Sequence, residues 1–283
     1  AWELTEDVFK DGVASQTGFP QAAWDHLVQE RGEKVSTTIA LGSIAEPPLI
    51  VTLPQSDTPN VNVIPHHDER FGVVRDGVDL AALFSSSPEL RVQDPTSAGS
   101  LDLVRDLKPR RILDVCAGRG TKTKQLRALF PDAMIGATEP NNERRESLME
   151  LAKDIDVEVY STETDGPTEL FDLVVVDTPC SNSGVFARRP EARLRYDKEH
   201  ITSLVELQRT ILRESIPMVE NKGHLLYTTC SIDRAENEGQ VQWLSAKHQM
   251  RRCLDTFTLP SGQPGSDPTR WHDGGFAALL QTR

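Results

Sequence analysis

From about Arg110 onward, short continuous apolar runs alternate with stretches of helical periodicity. Arg111 to Cys116, Met134 to Glu139, Val157 to Tyr160, Phe171 to Asp177 and His224 to Thr228 read as strands. Helical patterns lie between or after them, at Thr121 to Phe130, Asn142 to Ile155, Lys198 to Glu220 and Glu236 to Lys247. Asn221-Lys222-Gly223 reads as the stop of the long third helix. Two late strands are expected near Cys253 to Leu259 and Gly275 to Leu280. Within Phe171 to Asp177, Leu173 to Val176 are apolar at consecutive positions, as befits a strand covered on both faces of a parallel sheet. The alternation predicts an α/β fold, a doubly wound, mostly parallel, Rossmann-like sheet with right-handed crossovers. Ligands of such sheets bind at the carboxyl ends of the strands, beside the topological switch point. Cys116 to Gly120, Glu139, Asp177 to Cys180 and Thr229-Cys230 all fall at such ends.

The first ninety or so residues have a different texture. Ala22 to Arg31 looks helical, and Pro47-Pro48, Pro54, Pro59 and Pro65 interrupt short apolar pieces such as Leu49-Ile50-Val51. A small α+β domain over residues 1–92 is expected ahead of a larger domain over residues 93–283. The boundary is placed near Val92-Gln93-Asp94-Pro95. No internal repeat or low-complexity tract occurs.

Composition changes this picture little. Hydrophobic residues make up 37% and charged residues 26% of the 283 positions, the profile of an ordinary globular protein. No apolar run approaches the roughly 20 residues that cross a bilayer, and Ala1-Trp2-Glu3-Leu4-Thr5 has none of the regions of a signal peptide. Absence of an initiator Met leads us to expect numbering that starts inside a longer chain. Cys116, Cys180, Cys230 and Cys253 form no Cys-x-x-Cys pair, which points to reduced thiols, a cytoplasmic location and no metal site.

Charge changes it more. With 43 acidic against 31 basic residues the net charge is -12, unlike most nucleic-acid binders. The basic residues nevertheless cluster, between Arg105 and Arg127 and again over Arg188-Arg189-Pro190-Glu191-Ala192-Arg193-Leu194-Arg195. Each run reads equally well as a phosphate track or as solvated helix and loop charge.

The candidate chemistry sits at the strand ends. Asp114-Val115-Cys116-Ala117-Gly118-Arg119-Gly120-Thr121 runs from a strand through a glycine loop into a helix, where the backbone can approach a ligand closely. Glu139, at the next strand end, is placed to accept from ribose hydroxyls. A phosphate loop fails because no Gly precedes Lys122, and a nicotinamide fingerprint is incomplete because its third Gly position is Thr123. S-adenosylmethionine has no phosphate to cradle and tolerates both absences. Asp177-Thr178-Pro179-Cys180-Ser181-Asn182-Ser183-Gly184 and Tyr227-Thr228-Thr229-Cys230-Ser231 each put a cysteine directly after an apolar strand. One such cysteine is more often a small core residue than a nucleophile. Two, converging with an acid and a glycine loop, point to chemistry.

These motifs resemble those of the Sun/Fmu-type family of RNA cytosine-5 methyltransferases, which act on ribosomal, nucleolar and transfer RNA. Arg91 to Ser97 is similar to its V-Q-D-x-x-S entry, Asp114 to Thr123 to its D-x-C-A-A-P-G-G-K-T cofactor loop, and Asp177 to Gly184 to its D-x-P-C-S-x-x-G. Arg189-Pro190-Glu191, Thr229-Cys230-Ser231, Glu236-Asn237-Glu238 and Asp273-Gly274-Gly275-Phe276 follow in family order. The resemblance implies a methyltransferase that makes 5-methylcytosine in RNA from S-adenosylmethionine, with ribosomal RNA favoured over transfer RNA. It implies Cys230 as the nucleophile that adds to carbon 6 of the base and Cys180 as the group that assists breakdown of the adduct. Asp177 would hold the base, and Lys122 would lower a thiol pKa or steady the base. Contacts to S-adenosylmethionine would come from Asp114, Cys116, Ala117, Gly118, Arg119, Gly120, Thr121, Lys122, Glu139, Asp165 and Asp177. A base paired in a duplex is out of reach, so the target is a single-stranded or flipped cytosine.

The family pattern is broken in two places. Arg119 and Thr121 replace its Pro and second Gly, so Arg119 either narrows the cofactor pocket or adds a phosphate contact. The R-x-N signature expected after the proline pair is replaced by Leu49-Ile50-Val51-Thr52-Leu53, which puts RNA docking through the first domain in question. Three rival readings remain: a DNA cytosine-5 methyltransferase, which uses the Pro-Cys cysteine and needs no second; a cofactor- or RNA-binding relic without activity; and, more distantly, a dehydrogenase.

Overall fold

The computed structural model describes residues 12–54, 61–87, 89–160 and 166–283. Two compact units emerge, each assembled from three chain segments. The first takes Ala1–Ser97, Asn182–Lys198 and Thr258–Gly274; the second takes Ala98–Ser181, Glu199–Phe257 and Gly275–Arg283. The division expected at residue 92 is a single cut along the chain, whereas the contacts group its segments discontinuously.

The first unit begins with three helices, α1 (Val13–Thr17), α2 (Gln21–Arg31) and α3 (Glu33–Gly42). A four-stranded sheet follows, built from β1 (Ile50–Thr52), β2 (Val63–Pro65), β3 (Phe71–Val74) and β4 (Arg91–Val92), with α4 (Leu80–Ser86) between the last two. The strand order is β2-β3-β1-β4, and every pairing is antiparallel. This is the small α+β arrangement expected. Val51, Val63, Val74, Leu83 and Leu90 form its core, so the apolar pieces between prolines are the strands. Its later segments are stitched in by specific bonds. His66 Nε2 lies 2.9 Å from the Trp271 carbonyl, and Arg193 donates to the Thr17 carbonyl and to Ser43 Oγ. The short α5 (Pro95–Gly99) leads out of β4.

The second unit holds a seven-stranded sheet: β5 (Arg111–Val115), β6 (Met134–Thr138), β7 (Glu158–Tyr160), β8 (Phe171–Asp177), β9 (Val219–Thr229), β10 (Arg251–Thr258) and β11 (Gly275–Gln281). Helices α6 (Thr121–Leu129), α7 (Asn142–Ile155), α8 (Lys198–Ser215) and α9 (Glu238–His248) connect them. The order is β10-β11-β9-β8-β5-β6-β7. The pairs β5–β6, β5–β8, β6–β7 and β8–β9 are parallel, and β11 runs antiparallel to β9. Because side chains alternate across a strand, a strand covered on both sides must be apolar at every position. In β8, Leu173 and Val175 enter one core with Ile112, Leu226 and Ala277, while Val174 and Val176 enter the other with Leu113, Tyr227 and Ala278.

Element ends follow local chemistry. Asn141 caps α7 by accepting from the Arg144 N-H, and Asp156 closes it in the left-handed conformation. The expected helix from Lys198 to Glu220 stops instead at Ser215, because Pro217 has no N-H to continue it. Asn221-Lys222-Gly223 therefore lies within β9 and not at a helix end. There β9 loops out between the register pairs Phe171–Val219 and Leu173–His224, with Lys222 at φ 61°. The last helix starts at Glu238 rather than Glu236, because Glu236 and Asn237 turn inward and are buried. Among the described residues no helix is long and apolar enough to cross a membrane.

Candidate active site

Three strand ends meet at the carboxyl edge of the second unit's sheet. β5 ends in the glycine loop, β8 in Thr178-Pro179-Cys180-Ser181, and β9 in Cys230-Ser231. The β8 and β9 ends are tied together where the Thr178 N-H donates to the Thr228 carbonyl at 3.2 Å. Parallel pairing of β8 with β9 places Asp177 opposite Thr228, and Thr228 Oγ1 donates to Asp177 Oδ1 at 2.7 Å. Just beyond the two strand ends, three residues after Asp177 and two after Thr228, the cysteines converge. Cys180 Sγ and Cys230 Sγ stand 3.0 Å apart. Sequence separation is fifty residues, so only the sheet register brings them together.

Lys122, on the first turn of α6, reaches the same place. Its ammonium donates to Asp177 Oδ2 at 2.9 Å, with the side chain 11% exposed. Burial works against the ammonium, but Asp177, Asp114 and Cys230 outweigh it and hold the lysine charged. Lysine charge, aspartate and both thiols thus share one locus, as the sequence reading expects of Cys230, Cys180, Asp177 and Lys122.

The cofactor loop is shaped by backbone conformations that glycine favours. Cys116, Gly118 and Gly120 all have positive φ, at 60°, 62° and 89°. At Gly120 a Cβ would fall 2.4 Å from Leu151 Cδ2, so this glycine lets α6 start against α7. At Gly118 a Cβ would meet nothing within 4 Å, so the loop is open on that side. Glu139, 1% exposed, closes the loop from the neighbouring strand: its carboxylate accepts from the Gly118 N-H at 2.8 Å and the Asn141 N-H at 2.9 Å. It also pairs with Arg144 at 3.0 Å. Ala117 is held by the Thr138 carbonyl and by the Gly120 N-H, and Thr121 is the first residue of α6.

The side chain of Arg119 is engaged on α7. Its guanidinium pairs with Glu143 at 2.5 Å and donates to Ser147 Oγ at 2.8 Å, both on α7. Much of the basic run around it is likewise engaged. Arg127 donates to the carbonyls of Pro131, Ala133, Ile155 and Asp156, and Arg105 pairs with Asp102. In the first unit, Arg188 pairs with Asp273 and donates to the Pro48 carbonyl. Asp165 lies outside the described residues.

Electrostatics around the loop are negative. Asp114 is fully buried; Thr123 donates to its Oδ2 at 2.6 Å, while Oδ1 has no hydrogen-bond partner. Burial raises its pKa to about 7. Burial, followed by the charges of Glu139, Asp177 and Asp114, pushes the Cys116 thiol up to about 12. Cys116 is therefore a neutral thiol, kept so first by burial, and the carboxyl groups around it favour a cation in the loop.

Behind the cysteines lies a buried polar network to which the sequence reading gave no role. Glu236, fully buried, accepts from the Ser181 N-H, from Gln208 Nε2 and from Ser231 Oγ. Gln208 also donates to the Pro179 carbonyl at 3.0 Å. One signal was available: Ile201, Val205, Gln208, Leu212 and Ser215 form the buried stripe of α8, and Gln208 is a long polar residue on that stripe.

A parallel sheet with an antiparallel strand beside β9, a glycine loop after β5 and an acid after β6 define the fold of a Rossmann-like methyltransferase. The chain belongs to the 16S rRNA methyltransferase RsmB/F family, whose model matches residues 103–270. It is 29% identical over 207 residues to the ribosomal RNA small subunit methyltransferase B of Photorhabdus laumondii, covering 68% of this chain and 47% of that one. Its counterpart in Serratia proteamaculans is 32% identical over 182 residues, covering 62% and 42%. The chain thus spans less than half the length of these curated relatives. A methyltransferase homolog from Pyrococcus horikoshii shares the fold at a TM-score of 0.73 and 18% identity, covering 99% of this chain and all of that one.

Proposed function

We propose that this protein methylates carbon 5 of cytosine in RNA, using S-adenosylmethionine and a covalent bond from Cys230. The observation that carries the reading is the convergence of two thiols, 3.0 Å apart, on the Lys122–Asp177 ion pair. Carbon 5 of cytosine is a poor nucleophile until a thiolate adds to carbon 6. In this reading the Lys122 ammonium stabilises the Cys230 thiolate as its S–C6 bond forms. Asp177, held by Lys122 and Thr228, orients the base through its ring nitrogen and amino group. S-adenosylmethionine, when bound, supplies the methyl group that carbon 5 accepts. Carbon 5 then loses its proton and the C6–S bond breaks; Cys180 is the neighbouring group that assists this step.

The loop suits that cofactor on three counts. Gly118 leaves the backbone open, Glu139 is positioned beside it for hydroxyl groups, and the carboxyls around Cys116 favour a cationic sulfonium and ammonium. The same negative potential disfavours the pyrophosphate of a dinucleotide, which counts against the dehydrogenase reading. Both thiols, Lys122 and Asp177 are present at one strand edge, which counts against an inactive relic. The names of the relatives favour ribosomal RNA as the substrate.

The test is to incubate wild type, Cys180→Ala and Cys230→Ala with host RNA and labelled S-adenosylmethionine, and to resolve covalent complexes on denaturing gels. Cys180→Ala should accumulate an RNA crosslink, and Cys230→Ala should form none and transfer no methyl group. A crosslink from Cys230→Ala alone would reverse the two roles, as in the DNA-type mechanism.

A further inference from the structure

We propose that Glu236 is a positioning residue whose carboxylate spans the two cysteine loops and sets the approach of Cys180 to Cys230. This rests on the roles given to those cysteines above. The residues that follow the two cysteines are both bound to the one carboxyl group. Oε1 accepts from the Ser181 N-H at 2.9 Å, and Oε2 accepts from Ser231 Oγ at 2.6 Å. The two serine hydroxyls also meet at 3.1 Å, closing the link between the loops. Each cysteine is therefore one residue from an atom fixed by Glu236.

The carboxyl group is itself fixed from behind. Gln208 Nε2 donates to Oε1 at 2.9 Å and to the Pro179 carbonyl at 3.0 Å, so α8 holds both Glu236 and the residue before Cys180. Gln208 Oε1 accepts from Gln240 Nε2 at 2.9 Å, which orients its amide. Tyr227 donates to the Glu236 carbonyl at 2.6 Å from within β9. On the Cys230 side, Asn237 Nδ2 donates to the Ser231 carbonyl at 2.8 Å and Thr229 Oγ1 donates to Asn237 Oδ1 at 2.6 Å. Glu236, Ser231, Gln208, Gln240 and Asn237 are all essentially inaccessible to solvent. Water cannot replace these bonds, so the loops can separate only by leaving buried polar groups unpaired. A network this complete also fails to explain itself as packing. A Leu at 208 and a Met at 236 would fill the volume, but they would tie neither loop.

Cysteine separation can be read without RNA. Diamide oxidises the two thiols: each loses its proton, one S–S bond forms, and the azo group takes up the two protons and two electrons as the hydrazine. The rate of Cys180–Cys230 disulfide formation, followed by peptide mapping, reports how often the sulfurs meet. Glu236→Ala should slow this rate at least about tenfold and lower kcat for methylation about a hundredfold, with KM for RNA and S-adenosylmethionine within about twofold. Glu236→Gln should recover most of both, because its carbonyl can replace Oε1 and its amide can donate to Ser231 Oγ. Wild-type disulfide rates in Glu236→Ala, or a Gln variant as slow as the Ala variant, would overturn the proposal. Should Glu236→Ala fail to fold, Ser231→Ala removes the Oε2 bond alone, and an unchanged disulfide rate in it overturns the proposal equally. A chain that methylates no RNA would refute the proposed reaction, while the disulfide rates would still decide the role of Glu236.

Discussion

Glu236 and Asp114 are both fully buried carboxyl groups near strand ends of the same sheet, and they are treated in opposite ways. Every oxygen of Glu236 has a donor: a backbone N-H, an amide and a hydroxyl. Asp114 has the Thr123 hydroxyl on one oxygen and nothing on the other. Burial raises the pKa of both, but only at Glu236 do several hydrogen bonds to the ionised form oppose it. A fully partnered carboxyl fixes the geometry of whatever is bonded to it. A half-partnered one keeps a capacity to change charge, and Asp114 sits directly under the loop assigned to a cationic ligand.

The largest effect that would break this contrast is expected on the Glu236 side. Gln208→Leu removes one donor from Glu236 and one from Pro179, leaving a buried carboxylate under-satisfied. It should cost about 3 kcal/mol of unfolding free energy, measured by urea denaturation. A loss below about 1 kcal/mol would mean that the network is slack.

Next comes Asp114. Its folded pKa of about 7 lies above the ordinary 3.8, so its contribution to stability is fully present below the ordinary value. The contribution is lost as pH rises toward about 7, at up to about 1.4 kcal/mol per unit. In Asp114→Asn that part of the slope should vanish, so the difference in stability between variant and wild type should change steadily across this range. Parallel curves would show that Asp114 ionises as it does in the unfolded chain. The smallest effect belongs to Arg119→Ala. The Arg119–Glu143 pair is exposed, so stability should move by no more than about 0.5 kcal/mol. Affinity for S-adenosylmethionine by calorimetry should stay within about twofold of wild type. A larger change would put Arg119 back in the cofactor site.

The sequence made the sheet legible because its signals are local. The apolar run Leu173–Val176 of β8 and the cap and stop of α7 each specify an element from within a few residues. The motifs were legible for the same reason: Asp177 and Cys180 follow one apolar strand, Cys230 follows another, and Lys122 opens the helix after the β5 loop. Where a signal serves two structures, the reading failed. Asn221-Lys222-Gly223 carries residues that close a helix and equally residues that let a strand bulge, and only pairing with β8 decides. Asn237 would ordinarily cap α9, but its side-chain oxygen accepts from Thr229, so the helix begins without that cap. The partners of Glu236 come from positions 181, 208 and 231, and no periodicity within the chain records such a meeting.

The discontinuity of the first unit bears on how the protein is made. Arg188, Arg193 and Trp271 belong to that unit and are bonded to Pro48, Thr17 and His66, which leave the ribosome far earlier. Chains emerge at about 5–20 residues per second. The helices and the antiparallel sheet of residues 12–97 therefore wait roughly ten seconds or more for their last segment. During that time β1 and β3 can pair locally, but the segments that complete their unit are still unsynthesised. Birth of the protein is thus ordered from the inside outward: the second unit's parallel strands accumulate while the first unit stands half-built, and residues 258–274 complete it only after them.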